Sequence, residues 1–214
     1  MTLVIYCAGG LGKEIVELAR GIGRWDAIVF VDDITDQKEY RGCGVYRFED
    51  IGSFSDSVEF AIANGEPVAR KALYEKIKGA GYSMATLISP YTAVLPGAVI
   101  GEGCILWDCG ISADVKLAEN VLVNTRAIIG HDAQVGAHSV ISANCFLGGK
   151  TALDECVYMS PGSMVKDRIS IGEYSIISLG AVVLRNARAR SILVGNPARR
   201  VGENAEKRVF GMFD

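Results

Sequence analysis

From Ile111 onward an aliphatic or similar residue recurs at every sixth position: Ile111, Leu117, Val123, Ile129, Val135, Ile141, Leu147, Leu153, Met159, Val165, Ile171, Ile177 and Val183. Four places after each stands a mostly small or branched residue, as at Val115, Ala127, Ser139, Thr151, Ser163 and Ala181. Earlier rungs start at Val94, Ile100 and Leu106, with one residue missing before Ile111. A period of six fits neither the 3.6 of an α-helix nor the 2 of a strand. It is the hexapeptide signature of a parallel β-helix. Each hexad then forms one flat side of a triangular prism and points its aliphatic residue at the axis. Three hexads make a coil. Coils stack at about 4.8 Å, so residues eighteen apart lie one above another.

The first part of the chain has a different rhythm. Leu3–Tyr6 is a short apolar run that ends in Cys7-Ala8-Gly9-Gly10-Leu11-Gly12-Lys13. Ile15, Leu18, Ala19 and Ile22 follow at helical spacing, and Ala27–Val31 closes on Asp32-Asp33. This is strand, glycine turn, helix, strand and acidic pair. Such glycines let the backbone approach a phosphate, and the helix N-terminus offers free N–H groups and a positive dipole end. Acids at the tip of the second strand are placed to accept bonds from sugar hydroxyls. A tight turn with no ligand is the alternative, since Cys7 stands where a dinucleotide fingerprint has its first glycine. Glu59–Ala63 reads as a third strand. Val68–Gly79 reads as a helix with Ala69, Ala72, Leu73 and Ile77 on one face and Arg70, Lys71, Glu75 and Lys76 on another. Roughly ninety residues hold half of a two-part dinucleotide fold, so one mononucleotide fits better than NAD. The expected architecture is an α/β, Rossmann-like βαβαβ unit over 1–86, followed by a parallel β-helix over 87–214 with a C-terminal cap.

Composition narrows the function. The chain has 214 residues, half of them hydrophobic, a net charge of −3, 25 Gly, 6 Cys and 2 His. Mild acidity argues against a nucleic-acid surface, which needs clustered Lys and Arg. Two histidines cannot form a three-histidine zinc site, so no metal is expected. The opening residues lack the basic region of a signal peptide. The uncharged stretch Gly81–Gly101 carries Pro90, Pro96 and several Ser and Thr, which makes it a poor membrane span. The cysteines show no C-x-x-C spacing and read as reduced core residues of a cytoplasmic protein.

One histidine has a chemical setting. His131, in Ile129-Gly130-His131-Asp132, stands two places after an inward residue and should project outward. Eighteen residues further on, one coil above, is Gly149, and Ala113 is one coil below. A pantetheine arm fits such a slot, with the Gly149 amide near a thioester oxygen. That puts a general base and an oxyanion donor on one side of the prism. Asp132 is placed to orient the imidazole, and Lys150 stacks above Asp132. A plain surface histidine is the alternative. His138 has no special slot in this reading and is taken as a surface residue. Arg199 and Arg200 suit CoA phosphates, though a solvated basic cap fits them equally. Phe210 and Phe213 are expected to pack the last coil shut.

These residues resemble the hexapeptide-repeat sugar acyltransferases of the sialic acid O-acetyltransferase and bacillosamine N-acetyltransferase type. The likeness covers nearly the whole chain. It is carried by Gly9-Gly10-x-Gly12-Lys13, Phe30-Val31-Asp32-Asp33, Ala85-Thr86-Leu87-Ile88-Ser89-Pro90, Asn124-Thr125, Gly130-His131-Asp132, the hexads and Val194-Gly195-Asn196-Pro197-Ala198-Arg199. The resemblance implies a left-handed prism and a homotrimer with active sites between subunits. It implies acetyl-CoA as donor and a nucleotide-linked amino sugar or a sialic acid as acceptor. His131 would be the base and Asp132 its partner. Gly148, Gly149, Gly180 and Arg199 would meet acetyl-CoA. Gly9, Gly10, Gly12, Lys13, Asp32 and Asp33 would form the nucleotide-sugar site. The leading expectation is N-acetylation of a UDP-linked 4-amino-4,6-dideoxy sugar. O-acetylation of a sugar hydroxyl and a non-catalytic nucleotide-sugar scaffold are the alternatives. The chain departs from relatives at Leu11, Ser89 and Val140, where they often carry His.

Overall fold

The computed structural model describes residues 1–54 and 57–210. Its first part is a six-stranded sheet. The strands are β1 (Thr2–Tyr6), β2 (Ala27–Val31), β3 (Glu39–Tyr40), β4 (Cys43–Tyr46), β5 (Val58–Ile62) and β6 (Ser83–Met84), in the order β3-β4-β2-β1-β5-β6. All neighbours are parallel except the β3–β4 hairpin. Helix α1 (Gly10–Ile22) follows β1, and its amphipathic face buries Ile15, Val16, Leu18 and Ala19. Its C-terminus ends at Gly23, whose amide bonds the Ala19 carbonyl. Helix α2 (Pro67–Gly79) starts with proline at its N-terminal end and carries Lys76 and Lys78 in its last turn, which suits the helix dipole. The sequence reading missed the hairpin at 39–46, because two-residue strands around Arg41-Gly42 carry too little periodicity to register.

The second part is the prism. Its first face runs from Leu87–Ile88 through Ile105–Leu106, Leu122–Val123, Val140–Ile141, Tyr158–Met159 and Ile176–Ile177 to Ser191–Val194. The second face begins at Ala93–Val94 and ends at Val182–Val183, and the third runs from Val99–Ile100 to Ser170–Ile171. Residues eighteen apart pair in parallel, as in Ile128↔Phe146 and Gln134↔Ala152. The missing residue before Ile111 is absorbed in the corner at 107–109, so that Gly110 still pairs with both Ala93 and Ile128.

The predicted inward residues, from Ile111 to Val183, form one buried core together with Val115, Val121, Ala127 and Ala133. Fully burying such a side chain stabilises by roughly 1.5–3 kcal/mol. The fourth residue of most hexads is left-handed, as at Asn120 (φ 56°), Asp132 (φ 58°), His138 (φ 62°) and Lys150 (φ 59°). For a residue with a Cβ this conformation costs roughly 1–2 kcal/mol. It also turns each amide onto the coil below, as in Asp132 N–H to Ala113 O and Lys150 N–H to His131 O.

The α/β layer covers the first face. Ile105, Leu122, Val140, Tyr158 and Ile176 point outward from the prism and are buried against Leu3, Ile5, Ile15, Leu18 and Ala19. Val140 is therefore committed to packing between the two parts. Helix α2 lies along the corner between the third and first faces.

Two expectations fail at this corner. His138 is buried rather than a surface residue, because α2 covers the corner it projects from. Arg70, placed on the polar face of α2, is fully buried there, while Ala72 is exposed. Phe210 does not close the last coil either. It packs edge-on against Tyr158 on the first face, at 5.6 Å between ring centroids. Phe213 lies outside the described residues. The hairpin of Ser191–Val194 and Arg199–Glu203 closes that end of the prism instead.

Candidate active site

His131 stands at the corner between the second and third faces, held by the two-residue strands Ile128–Ile129 and Gln134–Val135. Its Nδ1 is 2.7 Å from Asp132 Oδ2. With Nδ1–H donated to the carboxylate, Nε2 carries the free lone pair. Both side chains are open to solvent, at 64% and 46%. The hydrogen bond from His131 holds the Asp132 carboxyl below its ordinary range, and the Lys150 charge adds to this without an ion pair.

Gly149 lies directly over the ring. A Cβ built on it would fall 2.7 Å from His131 Nε2 and 3.0 Å from Cδ2 and Cε1. The absent side chain makes room for the imidazole itself, which is a tighter fit than an open slot beside the ring. Neighbouring Gly148 is buried. The Gly149 amide has no hydrogen-bond partner among the described residues. It is thus an available donor on the coil above a free imidazole nitrogen.

The glycine turn forms a second cluster. Gly9 and Gly10 are exposed, and a Cβ on either would meet nothing within 4 Å. Gly12 is different, since a Cβ there would strike the Cys7 carbonyl at 2.6 Å and Phe30 at 3.1 Å. Gly12 lets α1 pack closely on the sheet, whereas Gly9 and Gly10 leave open the approach to the uncapped N-terminus of α1. Lys13 is exposed in the first turn.

A cavity of about 300 Å³ opens beside this turn, lined by Tyr6, Cys7, Asp32, Asp33, Asn64 and Lys76 among others. It sits at the C-terminal ends of β1, β2 and β5, where the sheet order reverses. Crevices of open α/β sheets form at this place. Both acids are already engaged. Asp32 accepts from the amides of Ala8, Ile34 and Thr35. Asp33 accepts from Tyr6 Oη at 2.5 Å, Lys76 Nζ at 2.7 Å and the Phe48 amide at 3.0 Å. Burial raises the Asp33 carboxyl, but these bonds and the Lys76 charge outweigh it and hold it at about 2. Sequence reasoning missed Tyr6, Asn64 and Lys76. They come from three separate elements, and only the sheet order brings them together.

A third place is the groove of about 740 Å³ at the C-terminal mouth of the prism, where Arg185, Arg188, Arg199 and Arg200 gather. Arg185 belongs to the His131 column, which runs His131, Gly149, Asp167, Arg185. Gly180 lies on a different corner, between the second and first faces, and is exposed. The structure thus joins His131, Asp132 and Gly149. It keeps Gly180, Arg199 and the glycine turn apart from them. The α/β layer sits on the first face, and His131 occupies the opposite corner of the triangle.

Residues 2–77 match the model of the PglD N-terminal domain family. The acetyltransferase domain of PglB from Neisseria gonorrhoeae is 28% identical with a TM-score of 0.88, over 94% of this chain and 99% of that one. PerB from Caulobacter crescentus, in complex with CoA and GDP-perosamine, is 25% identical with a TM-score of 0.88, over 94% of this chain and 98% of that one. Among curated relatives, the acyl-carrier-protein–UDP-N-acetylglucosamine O-acyltransferase of Pseudomonas aeruginosa is 22% identical over 162 residues, which is 76% of this chain and 54% of the relative. The chain spans about half the length of the curated relatives it matches. The prism is a left-handed parallel β-helix, and the chain as a whole is similar in fold to these acetyltransferases. It pairs that prism with an N-terminal part that matches the PglD N-terminal domain.

Proposed function

We propose that this protein transfers the acetyl group of acetyl-CoA to the amine of a nucleotide-linked amino sugar, with His131 as general base. The observation that carries this is the imidazole fixed at Nδ1 by Asp132, with its free Nε2 beneath Gly149. As the amine nitrogen bonds the thioester carbon, Nε2 takes its proton. The Gly149 amide donates to the developing oxyanion. The C–S bond then breaks, and His131 returns the proton to the departing thiolate. The complexes of PerB with CoA and GDP-perosamine support the substrate class. Arg185 stands three coils above His131, about 14 Å away, a span suited to a pantetheine arm. Arg185, Arg188 and Arg199 then meet the CoA phosphates.

The acceptor nucleotide sits on the Gly9–Gly12 turn, with Lys13 near its phosphates and its base in the cavity of Asp32, Asp33 and Lys76. In our reading the sugar is a UDP-linked 4-amino-4,6-dideoxy sugar. Guanine is recognised best by a carboxylate with free oxygens, and those of Asp33 are engaged. We place the division between the acceptor-binding and acetyl-transferring parts at residues 86–87.

One chain cannot bring its own acceptor pocket to its own His131, because the prism stands between them. A homotrimer solves this. The outward positions of the second face are apolar, and Ile128, Phe146 and Met164 are 49%, 43% and 45% exposed. Packing this face around a three-fold axis brings the His131 corner of one copy to the Gly180 corner of the next. Phe146→Glu should then lower the sedimenting mass to a single chain and abolish transfer.

A second reading, O-acetylation, is favoured by the curated O-acyltransferase relatives, and a hydroxyl needs a base more than an amine does. The test is thiol release from acetyl-CoA with UDP- and GDP-linked amino sugars and CMP-sialic acid. Hydroxylamine cleaves an O-acetyl product and leaves an N-acetyl product intact. A wild-type protein that transfers to none of them overturns the assignment and favours the non-catalytic scaffold. No helix of the described residues is long and apolar enough to cross a membrane. The six cysteines are free thiols, which suits our placing of the protein in the reducing cytoplasm.

A further inference from the structure

Arg70 is fully buried between α2 and the prism and forms no ion pair among the described residues. Its guanidinium has five N–H donors, and oxygens of the chain meet them. Nε and Nη2 reach the Asn120 carbonyl at 3.2 and 3.0 Å, and Nη2 reaches Asn120 Oδ1 at 2.6 Å. Nη1 reaches the carbonyls of Ile62 at 2.8 Å and Asn64 at 3.1 Å. Burial pulls the group down to about 10, so it stays charged at neutral pH.

The two sets of partners belong to different parts of the molecule. Asn120 is a left-handed corner residue of the prism, and its Nδ2 bonds the Arg70 carbonyl and His138 Nδ1, both at 3.0 Å. Ile62 ends β5, and Asn64 lines the acceptor cavity. Asn64 also touches Cys7 Sγ through Nδ2 and accepts the Glu66 amide at 2.9 Å. A planar fork fixes direction as well as distance, which a lysine point charge cannot.

We propose that Arg70 is a positioning residue of the acceptor pocket, whose guanidinium ties the 62–64 wall of that pocket to the Asn120 corner of the prism. The inference rests on the reading that this cavity takes the nucleotide sugar. It explains why a cation is buried with only carbonyl and amide oxygens around it. Two independent walls are aligned through one rigid group, and in the trimer that alignment sets where the sugar is presented to the neighbouring His131.

The test compares wild type with Arg70→Lys and Asn120→Gly, the latter keeping the left-handed backbone without strain. Steady-state transfer is measured with either substrate varied, together with hydrogen exchange at the Ala63 and Glu66 amides. The expected result is a KM for the nucleotide sugar raised about tenfold or more in both variants. The KM for acetyl-CoA and kcat at saturation should stay within about twofold, and exchange at Ala63 and Glu66 should quicken about tenfold. An unchanged sugar KM overturns the proposal, as does a parallel loss of both KM values. If Arg70→Lys does not fold, an unaltered sugar KM in Asn120→Gly overturns it. If wild type transfers to no nucleotide sugar, the functional reading fails separately. Exchange then decides the role of Arg70, and an unchanged rate at Ala63 and Glu66 overturns it.

Discussion

His131 and His138 project from successive hexads of one prism, and their surroundings differ at every point. His131 is exposed, bonds one partner through Nδ1 and keeps Nε2 free beneath a glycine. His138 is buried under α2, accepts from Asn120 Nδ2 at its Nδ1, and lies 5.2 Å from the Tyr74 ring. Its Nε2 faces Glu155 at 3.7 Å. Burial lowers the His138 pKa. The carboxylates of Glu155 and Glu119 oppose that shift, and the cations Lys71 and Arg70 assist it. His131 is the third residue of its hexad and His138 the left-handed fourth of the next, and both project at corners of the prism. What lies over each histidine decides whether its second ring nitrogen is left open or packed away.

The sharpest way to break this contrast is to truncate each histidine in turn. His131→Ala should lower kcat by roughly 10²–10⁴-fold, with the melting temperature unchanged by circular dichroism. An intact kcat would move the base elsewhere. Gly149→Ala should come next, because the added methyl group occupies the space of Nε2. We expect a fall in kcat of roughly 10- to 100-fold, with a modest change in Tm. If the variant keeps full activity, the ring does not need its place under residue 149.

His138→Ala should show the opposite pattern. It leaves one of the two Asn120 Nδ2 hydrogens without an acceptor, the other still meeting the Arg70 carbonyl, at a cost of about 1–3 kcal/mol. That corresponds to a Tm lower by roughly 2–12 °C, with kcat at saturation little changed. A large loss of kcat in a folded variant would erase the distinction between the two corners.

The smallest effect is the pH dependence of stability. Folded His138 binds a proton less readily than the unfolded chain does. Its contribution is therefore present above the unfolded value of about 6.5 and is lost as the pH falls below it. Melting curves between about pH 7.5 and 5.5 should fall less steeply for His138→Gln than for wild type. An equal slope would show that His138 takes up its proton freely in the folded state.

The prism was legible to the residue. A period of six needs no long-range information, because each hexad carries its own inward aliphatic residue, and the eighteen-residue sum then places Gly149 over His131. The same sum places Asn120 beneath His138, which was a signal that the corner is occupied. The glycine turn was legible as well, since Gly9, Gly10 and Gly12 act locally.

Arg70 and Lys76 were not legible. On α2 they follow the polar phase of an amphipathic helix, and helical periodicity distinguishes polar from apolar residues, not buried polar from exposed ones. Tyr6, Asn64 and Lys76 meet in one cavity only through the order β2-β1-β5. That order reflects how the strands pair, and no segment states it alone.

The sequence by itself determined the two architectures, the inward ladder and the His131–Asp132–Gly149 cluster, because each depends on short-range spacing repeated along the chain. The tertiary structure decided which face of the prism is covered, which histidine is left open, and that the cavity of Asp32, Asp33 and Lys76 and His131 stand on opposite sides of one chain. Those outcomes depend on where α1 and α2 come to rest. The burial of Val140, Tyr158 and Ile176 against the α/β layer fixes that position, and it is a sum over contacts distant in sequence.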